Sequence, residues 1–442
     1  MPQILSLVGI VAWGGMEPDA ATEETLMQVS ANVFGIARRY GWQFLSAMGL
    51  SLVISSPLAA APSRIDQVES CDLLVVGGGL AGVATAYESL RAGRTVCLTE
   101  MTDWLGGQLT SQGTTALDEA RRQRQLEFYP AGYNQLRQRV LERYGRQNPG
   151  DCWVRAVCYL PDDAHEIMVE MLDAAARAGR GELKWFPSTV VKELDVAGTM
   201  IVDAIAIQHS PAPGTPPLNI EPLSANLEDI YRYDDSERLS KRIIRFEPSG
   251  HDGPADWYVI EATETGEVIA LAGVPYRLGL DPKSYLNPSS PTLTGDQYCT
   301  QGFTYTFAME RTESPQAQEK PVYYDTYAPY FSFERERDNT NYIDFVFTYR
   351  RLLAPGKRPE ARMFGVSGIN PGDISMQNWT WGNDYRPGTA VDNLIYSPEQ
   401  LEAAGQLEPG GWLGGLRVDT LRRGEENAFS YYYWLVAGLT DS

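Results

Sequence analysis

Gly77, Gly79 and Gly82 stand at the spacing GxGxxG, and Glu100 follows about 20 residues on, where a dinucleotide-binding fingerprint places an acid. Each position has a chemical reason. Gly77 makes a tight turn, Gly79 lets the backbone approach a pyrophosphate without a Cβ between them, and Gly82 lets a helix pack close to a strand. The N–H groups that open that helix, and the positive end of its dipole, hold phosphates. Glu100 accepts hydrogen bonds from the hydroxyls of an adenosine ribose and repels a 2′-phosphate.

The elements that position these residues are legible around them. Leu73 to Val76 is a short apolar run suited to a strand covered on both faces. Val83, Ala86, Tyr87 and Leu90 recur at helical intervals, and Gly93 ends the helix. Thr95 to Thr99 alternates as a second strand and delivers Glu100 at its end. A lone GxGxxG is weak, but strand, helix, second strand and acid in register make a dinucleotide-binding βαβ unit, against a plain glycine-rich turn.

The next stretch, "MTDWLGGQLTSQGTTALDE", puts Gly106 and Gly107 shortly after Glu100, followed by small polar side chains. Here the chain resembles the FAD-dependent oxidoreductases of the glutathione-reductase-like fold. The resemblance implies FAD rather than NAD. It makes Gly107, Gln108, Thr110 and Ser111 candidates for contacts with the pyrophosphate, ribityl chain or isoalloxazine, the alternative being a polar connecting loop. "PDDAHEIMVEMLDAAARAG" reads as a helix with Asp162 or Asp163 near its N-cap and a stripe of Ile167, Met168, Met171, Leu172 and Ala175. "LKWFPSTVVKELDVAGTMIVDAIAIQ" reads as successive strands. The resemblance implies a valine backbone against adenine at this point, placed at Val190. "WYVIEATETGEVIALAGVPYRLG" is similar to the family's later strand and Ala-Thr-Gly turn. Ala262 and Thr263 fit, Glu264 stands where many relatives have glycine, and Gly266 comes two residues later. The recognisable likeness runs from Asp72 to Gly279.

Composition narrows the partners. A chain of 442 residues buries a sizeable core, and a net charge of −20 repels nucleic acid. The three histidines, His165, His209 and His251, are isolated from one another and from cysteines at metal-ligand spacing, so no metal site is expected. His165 is read as structural or solvated. Cys152 and Cys158 frame "CWVRAVC". As a strand that segment holds the two Cα atoms roughly 20 Å apart, beyond the roughly 7 Å limit, so the pair is read as unbridged unless a turn intervenes. Arg350, Arg351 and Arg362 are read as solvated surface residues in preference to an anionic-substrate site.

The amino terminus has signal-peptide order: Arg38-Arg39, an apolar stretch, and small residues at Ala59 to Ala61. Residues 37–60 are the expected signal peptide after an unassigned leader over 1–36. The mature protein is then exported, periplasmic or extracellular, without a stable membrane span; the alternative is a cytoplasmic enzyme with an uncleaved leader helix. The expected fold class is α/β. A glutathione-reductase-like FAD-binding domain comes from 70–207 and 257–280, with an irregular insertion over 208–256 and an inserted mixed, β-rich substrate domain over 281–442. In that domain the aromatic runs "YCTQGFTYTFAMER", "NYIDFVFTYRRLL" and "FSYYYWLVAG" read as strands or buried segments, and "SPEQLEAAGQL" as a helix capped by Ser397. The segment that completes the flavin site in such enzymes is not evident, because neither Gly295-Asp296 nor Gly372-Asp373 opens an apolar helix. The expected function is FAD-dependent oxidation of a small molecule, with hydride passing to the flavin and then to an unassigned electron acceptor, and with no catalytic residue assigned. The other readings are a non-redox nucleotide-binding protein on the same fold and an NAD-dependent dehydrogenase.

Overall fold

The computed structural model describes residues 7–9, 64–154, 156–218, 220–250, 257–297, 299–300, 302–331, 342–356, 362–363, 366–378, 383–385 and 393–437. The expected signal peptide lies outside them. At the centre is a four-stranded parallel sheet in the order Tyr258–Glu261, Leu73–Val76, Thr95–Thr99, Glu182–Phe186. Its register aligns Glu261, Val76, Thr99 and Phe186 at one edge, the carboxyl ends of the strands. Open α/β sheets bind their ligands along such an edge.

The apolar strands are covered on both faces. Val75, Val96 and Leu98 face two helices, Leu80–Arg91 (α1) and Pro161–Gly179, while Leu74, Val76, Cys97 and Phe186 face a second sheet. On the Pro161–Gly179 helix the stripe Ile167, Met168, Met171, Leu172 and Ala175 is buried, as its periodicity predicts. Leu160 is the N-cap and Pro161 opens the helix, so Asp162 and Asp163 fall in the first turn, where they complement the dipole.

The second sheet runs Gln67–Cys71, Leu239–Pro248, Met200–Pro211, Thr189–Ala197. The strands read from "LKWFPSTVVKELDVAGTMIVDAIAIQ" are therefore present, and the segment read as an irregular insertion over 208–256 also contains a strand. Leu239–Pro248 lies inside the sheet, parallel to Gln67–Cys71 and antiparallel to Met200–Pro211. It is covered on both faces, Leu239 and Ile243 in one core and Ile244 and Phe246 in another, while Lys241, Arg242 and Arg245 interrupt the apolar run that would have marked it in the sequence.

Beyond the second sheet lies an aromatic core in which Val190, Ile205 and Ile207 meet Phe303, Tyr305, Phe307, Tyr431 and Trp434. Phe303–Glu310 pairs antiparallel with Ile374–Gln377, and Arg351–Leu353 pairs with Ile374–Gln377 on its other side. The description of this half as β-rich needs correction. The run from Phe429 to Val436 belongs to the helix Val418–Val436, which buries Tyr431 and Trp434, and Tyr342–Tyr349 is also helical. The helix Pro398–Ala403 carries the expected Ser397 cap as a full capping box with Gln400.

Two further corrections concern single residues. Cys152 and Cys158 form a disulfide with Cα atoms 6.5 Å apart, because the chain turns after Cys152 instead of running as a strand. Arg350 and Arg351 are buried, not solvated. Arg351 donates to the carbonyls of Gly150, Asp151, Ser367 and Gly368 and pairs with Asp373 at 3.0 Å, both side chains fully buried. Asp373 of the Gly372-Asp373 pair is thus half of an internal ion pair. Among the described residues no helix is long and apolar enough to cross a membrane, and no group of three or more His, Cys, Asp or Glu is placed to hold a metal.

Candidate functional site

The site forms where the chain leaves the carboxyl edge of the parallel sheet. After Val76 the chain turns at Gly77, whose φ of +97° is a conformation that glycine adopts without strain. A Cβ there would also lie 2.5 Å from the Ala262 carbonyl oxygen, so the turn is pressed against the end of the neighbouring strand. Gly79 is the N-cap of α1 and brings no side chain to that helix start. No side chain caps α1 and no acid stands in its first turn, which leaves its opening N–H groups for an anion. At Gly82 a Cβ would sit 1.8 Å from the Gly77 carbonyl oxygen, the close helix-to-turn packing the motif requires.

Glu100 ends the next strand with its carboxylate turned back over this loop. The Gly78 N–H donates to its Oε2 at 2.7 Å and the Thr102 N–H to its Oε1 at 3.1 Å. The Thr102 hydroxyl donates to the same Oε1 at 3.2 Å, so Oε2, with one backbone donor, is the oxygen that keeps acceptor capacity for a ribose hydroxyl. Burial raises its pKa to about 7, the nearby Glu264 charge adds to the rise, and the donors from Thr102 and Gly78 oppose it.

The Gly106-Gly107 pair closes the site from above. Both residues have positive φ, and the Gly106 N–H donates to the Gly78 carbonyl at 2.8 Å, tying the two glycine loops together. A Cβ on Gly107 would lie 2.9 Å from the Gly79 Cα. The helix Pro161–Gly179 supports the pair through His165, whose Nδ1 accepts the Leu105 N–H at 2.9 Å while its ring stacks near Trp104. Burial lowers the His165 pKa, which keeps the ring neutral as an acceptor must be. The structural reading of this histidine accords with that contact.

The other candidates divide. Ser111 lines the cavity that Gly77 and Glu100 open onto, together with Gln112, which the sequence did not single out. Thr110 is fully buried and its hydroxyl donates to the Leu105 carbonyl at 2.7 Å, a contact that shapes the loop from inside. Gln108 is half-buried, and its carbonyl accepts the Thr114 N–H. Val190 points into the aromatic core. Its neighbour Thr189 lines the cavity, and the Thr189 N–H donates to the Glu100 carbonyl at 2.7 Å. The strand lies where it was expected, with the cavity contact one residue earlier.

Three acids, Glu261, Glu264 and Glu267, have places at the site that sequence reasoning did not assign. Glu261 ends its strand and folds over the following turn, accepting the Thr263 and Val268 N–H groups at 2.6 Å each. Gly266, with φ of +72°, takes the left-handed position of this turn, so Glu264 need not. Glu264 turns its carboxylate into the cavity, where Gln112 hydrogen-bonds to it. Glu267 is buried in the same cavity, accepts the Tyr231 hydroxyl, and is raised to about 8 by burial, with the Glu100 charge adding. The departure from Ala-Thr-Gly at Glu264 was the available signal, but it reads as a backbone question until the fold turns the side chain inward. The cavity measures about 130 Å³, below the roughly 300–1,000 Å³ of small-molecule sites.

The residues present fit the ADP half of a dinucleotide: a turn and helix start without side chains, an uncapped helix amino terminus, and a backbone-anchored acid at the ribose position. Residues 72–214 match the FAD dependent oxidoreductase family. Similar solved structures include a geranylgeranyl bacteriochlorophyll reductase-like protein from Thermoplasma acidophilum, at 12% identity over 47% of this chain and 43% of that one, with a TM-score of 0.24. A p-nitrophenol 4-monooxygenase from Pseudomonas putida is 13% identical over 48% of this chain and 46% of its own, with a TM-score of 0.24. The glycerol-3-phosphate dehydrogenase from Bacillus halodurans, complexed with FAD, is 17% identical over 32% and 31%, with a TM-score of 0.20. This chain spans less than half the length of each of these three proteins. No curated protein sequence matches it.

Proposed function

We propose that this chain, whose residues 72–214 match the FAD dependent oxidoreductase family, binds FAD and oxidises a small molecule on a flavin held at the Gly77–Glu100 unit. The observation that carries the reading is the uncapped start of α1 behind Gly79, with Glu100 held over it by the Gly78 and Thr102 N–H groups. In this reading the α1 amino terminus binds the pyrophosphate, Glu100 orients the ribose, and the Gly106–Ser111 loop runs along the remainder of the cofactor. Bound FAD supplies two-electron chemistry, taking hydride from a substrate carbon. The protein's part is to fix the cofactor and close water out around it.

We read the arrangement as glutathione-reductase-like, with 70–207 and 257–280 as its cofactor-binding segments and the aromatic half as the substrate side. The parallel sheet backed by helices on one face and a second sheet on the other supports that reading. Export follows the order of residues 37–60, and the Cys152–Cys158 disulfide supports it, since such bonds persist in oxidising compartments.

The test is the visible spectrum of the purified protein, followed by mass spectrometry of the released cofactor. Flavin absorbance that bleaches on reduction, with FAD recovered, is the expected result. A released nicotinamide dinucleotide without flavin absorbance supports the dehydrogenase alternative, and an unreducible bound nucleotide supports the non-redox one. Amino-terminal sequencing from the native host tests export. A mature start near Ala61 is expected, and a cytoplasmic protein retaining Arg38-Arg39 overturns it.

A further inference from the structure

The Glu264 carboxylate occupies the slot that two glycines keep open. A Cβ built on Gly79 would lie 2.7 Å from its Oε1, and a Cβ built on Gly107 would lie 2.9 Å from the same oxygen. The slot opens at the uncapped start of α1, so a carboxylate sits where the reading above puts a pyrophosphate. Among the described residues that line the cavity there is no lysine or arginine. A cofactor entering here meets a buried anion with no side-chain cation to offset it. Like charges sharing a buried site are resolved by protonation of one of them.

We propose that Glu264 couples FAD binding to the uptake of one proton: in the complex its carboxyl is protonated and donates a hydrogen bond to a pyrophosphate oxygen. The inference rests on the FAD reading and names a further cofactor contact within it. One proton passes from solvent to the carboxylate for each FAD bound, and no bond of the cofactor is broken. Burial already biases Glu264 toward the protonated form, and the Glu261 charge adds to that bias.

The groups that face Glu264 come from every element around it. Glu100 comes from the end of Thr95–Thr99, Glu261 from Tyr258–Glu261, Glu267 from the helix Glu267–Leu271, and neutral Gln112 from the loop. Asp103 and Glu221 also line the cavity, as does His209, whose pKa burial and the Lys241 charge hold down at about 3. Of these acids the Glu261 charge favours a neutral Glu264, while Glu267 itself stays protonated below about pH 8. Glu100 itself acts in the opposite sense on binding, because a ribose diol is best received by an ionised carboxylate. The contribution of Glu264 is therefore the difference between the wild type and a variant that keeps Glu100.

The experiment titrates FAD into the full chain by calorimetry in buffers of different ionisation enthalpy, and by flavin fluorescence from pH 6 to pH 8.5. Glu264→Gln imitates the protonated carboxyl. It is expected to bind FAD about tenfold or more tightly than wild type at pH 8 and to take up one proton fewer per FAD. Glu264→Gly, which opens the slot, is expected to lose the same proton and serves if the glutamine variant misfolds. Equal proton counts in wild type and variants, or no gain in affinity at pH 8, overturn the coupling while leaving the FAD reading intact. Failure of wild type and both variants to bind FAD at all overturns the two together.

Discussion

Replacing Gly79 with valine separates the two tasks of the glycine loop, because that residue is free to carry a side chain as far as the backbone is concerned. Its φ of −63° and ψ of −171° are extended and open to any residue. The nearest atoms to a new Cβ are Oε1 of Glu264 at 2.7 Å, its Cδ at 3.5 Å and the Ala262 carbonyl oxygen at 3.8 Å. The only tight contact is thus the far end of a side chain that rotates away, so the stability cost is about 1 kcal/mol or less. The pyrophosphate has no such freedom. It needs the space over the α1 N–H groups that the valine methyls fill, and losing those charge-assisted contacts costs about 3 kcal/mol, or about 100-fold in Kd. Gly82→Ala makes the contrast. There the new Cβ meets the Gly77 carbonyl oxygen at 1.8 Å, so helix and turn must part at a cost of about 1–3 kcal/mol or more. Flavin titration and thermal unfolding of the two variants read both effects. Gly79→Val is expected to melt near wild type with FAD bound about 100-fold more weakly, and Gly82→Ala to melt several degrees lower. A folded Gly79→Val protein with undiminished flavin would refute the placement of the pyrophosphate.

Three other outcomes follow from buried groups. Glu267 is raised from 4.5 to about 8, so the native state keeps a proton that the unfolded chain loses. Its contribution is full below pH 4.5 and declines as the pH rises toward 8, and Glu267→Gln should raise Tm at pH 8 relative to wild type while changing it little at pH 4.5. Arg351→Ala leaves the fully buried Asp373 carboxylate without its cation and should cost about 3–5 kcal/mol in a urea titration, whereas a surface arginine would cost almost nothing. Removing the Cys152–Cys158 bridge by double serine substitution should cost about 2 kcal/mol, given the short loop it closes, and a reducing agent should lower the wild-type Tm to the same value.

What the sequence disclosed and what it hid divide by the range of the interactions concerned. Leu73 to Glu100 was legible because every signal in it is local: an apolar run, three glycines, a helical stripe and an acid at the next strand end. The stripe of Pro161–Gly179 and the Ser397 cap were legible for the same reason. Arg351 was misread because its partners, the carbonyls of Gly150, Asp151, Ser367 and Gly368, come from two remote segments, and a guanidinium gives no local sign of burial. "FSYYYWLVAG" was open to misreading because aromatic residues suit strands and buried helix faces alike; the helix Val418–Val436 runs on from charged residues that set the period. Glu264 is the sharpest case. Its meaning depends on Tyr258–Glu261 returning beside Leu73–Val76 with Glu261 opposite Val76, so that both chains leave the sheet at the same level. The residues just past Val76 and just past Glu261 then share one small volume: on one side the glycines of the loop, on the other a carboxylate at the end of a turn that Glu261 organises. A glutamate in place of glycine reads from sequence as a defect in a turn. Placed by the parallel pairing of two strands far apart in the chain, it becomes a buried carboxylate set against the uncapped start of α1.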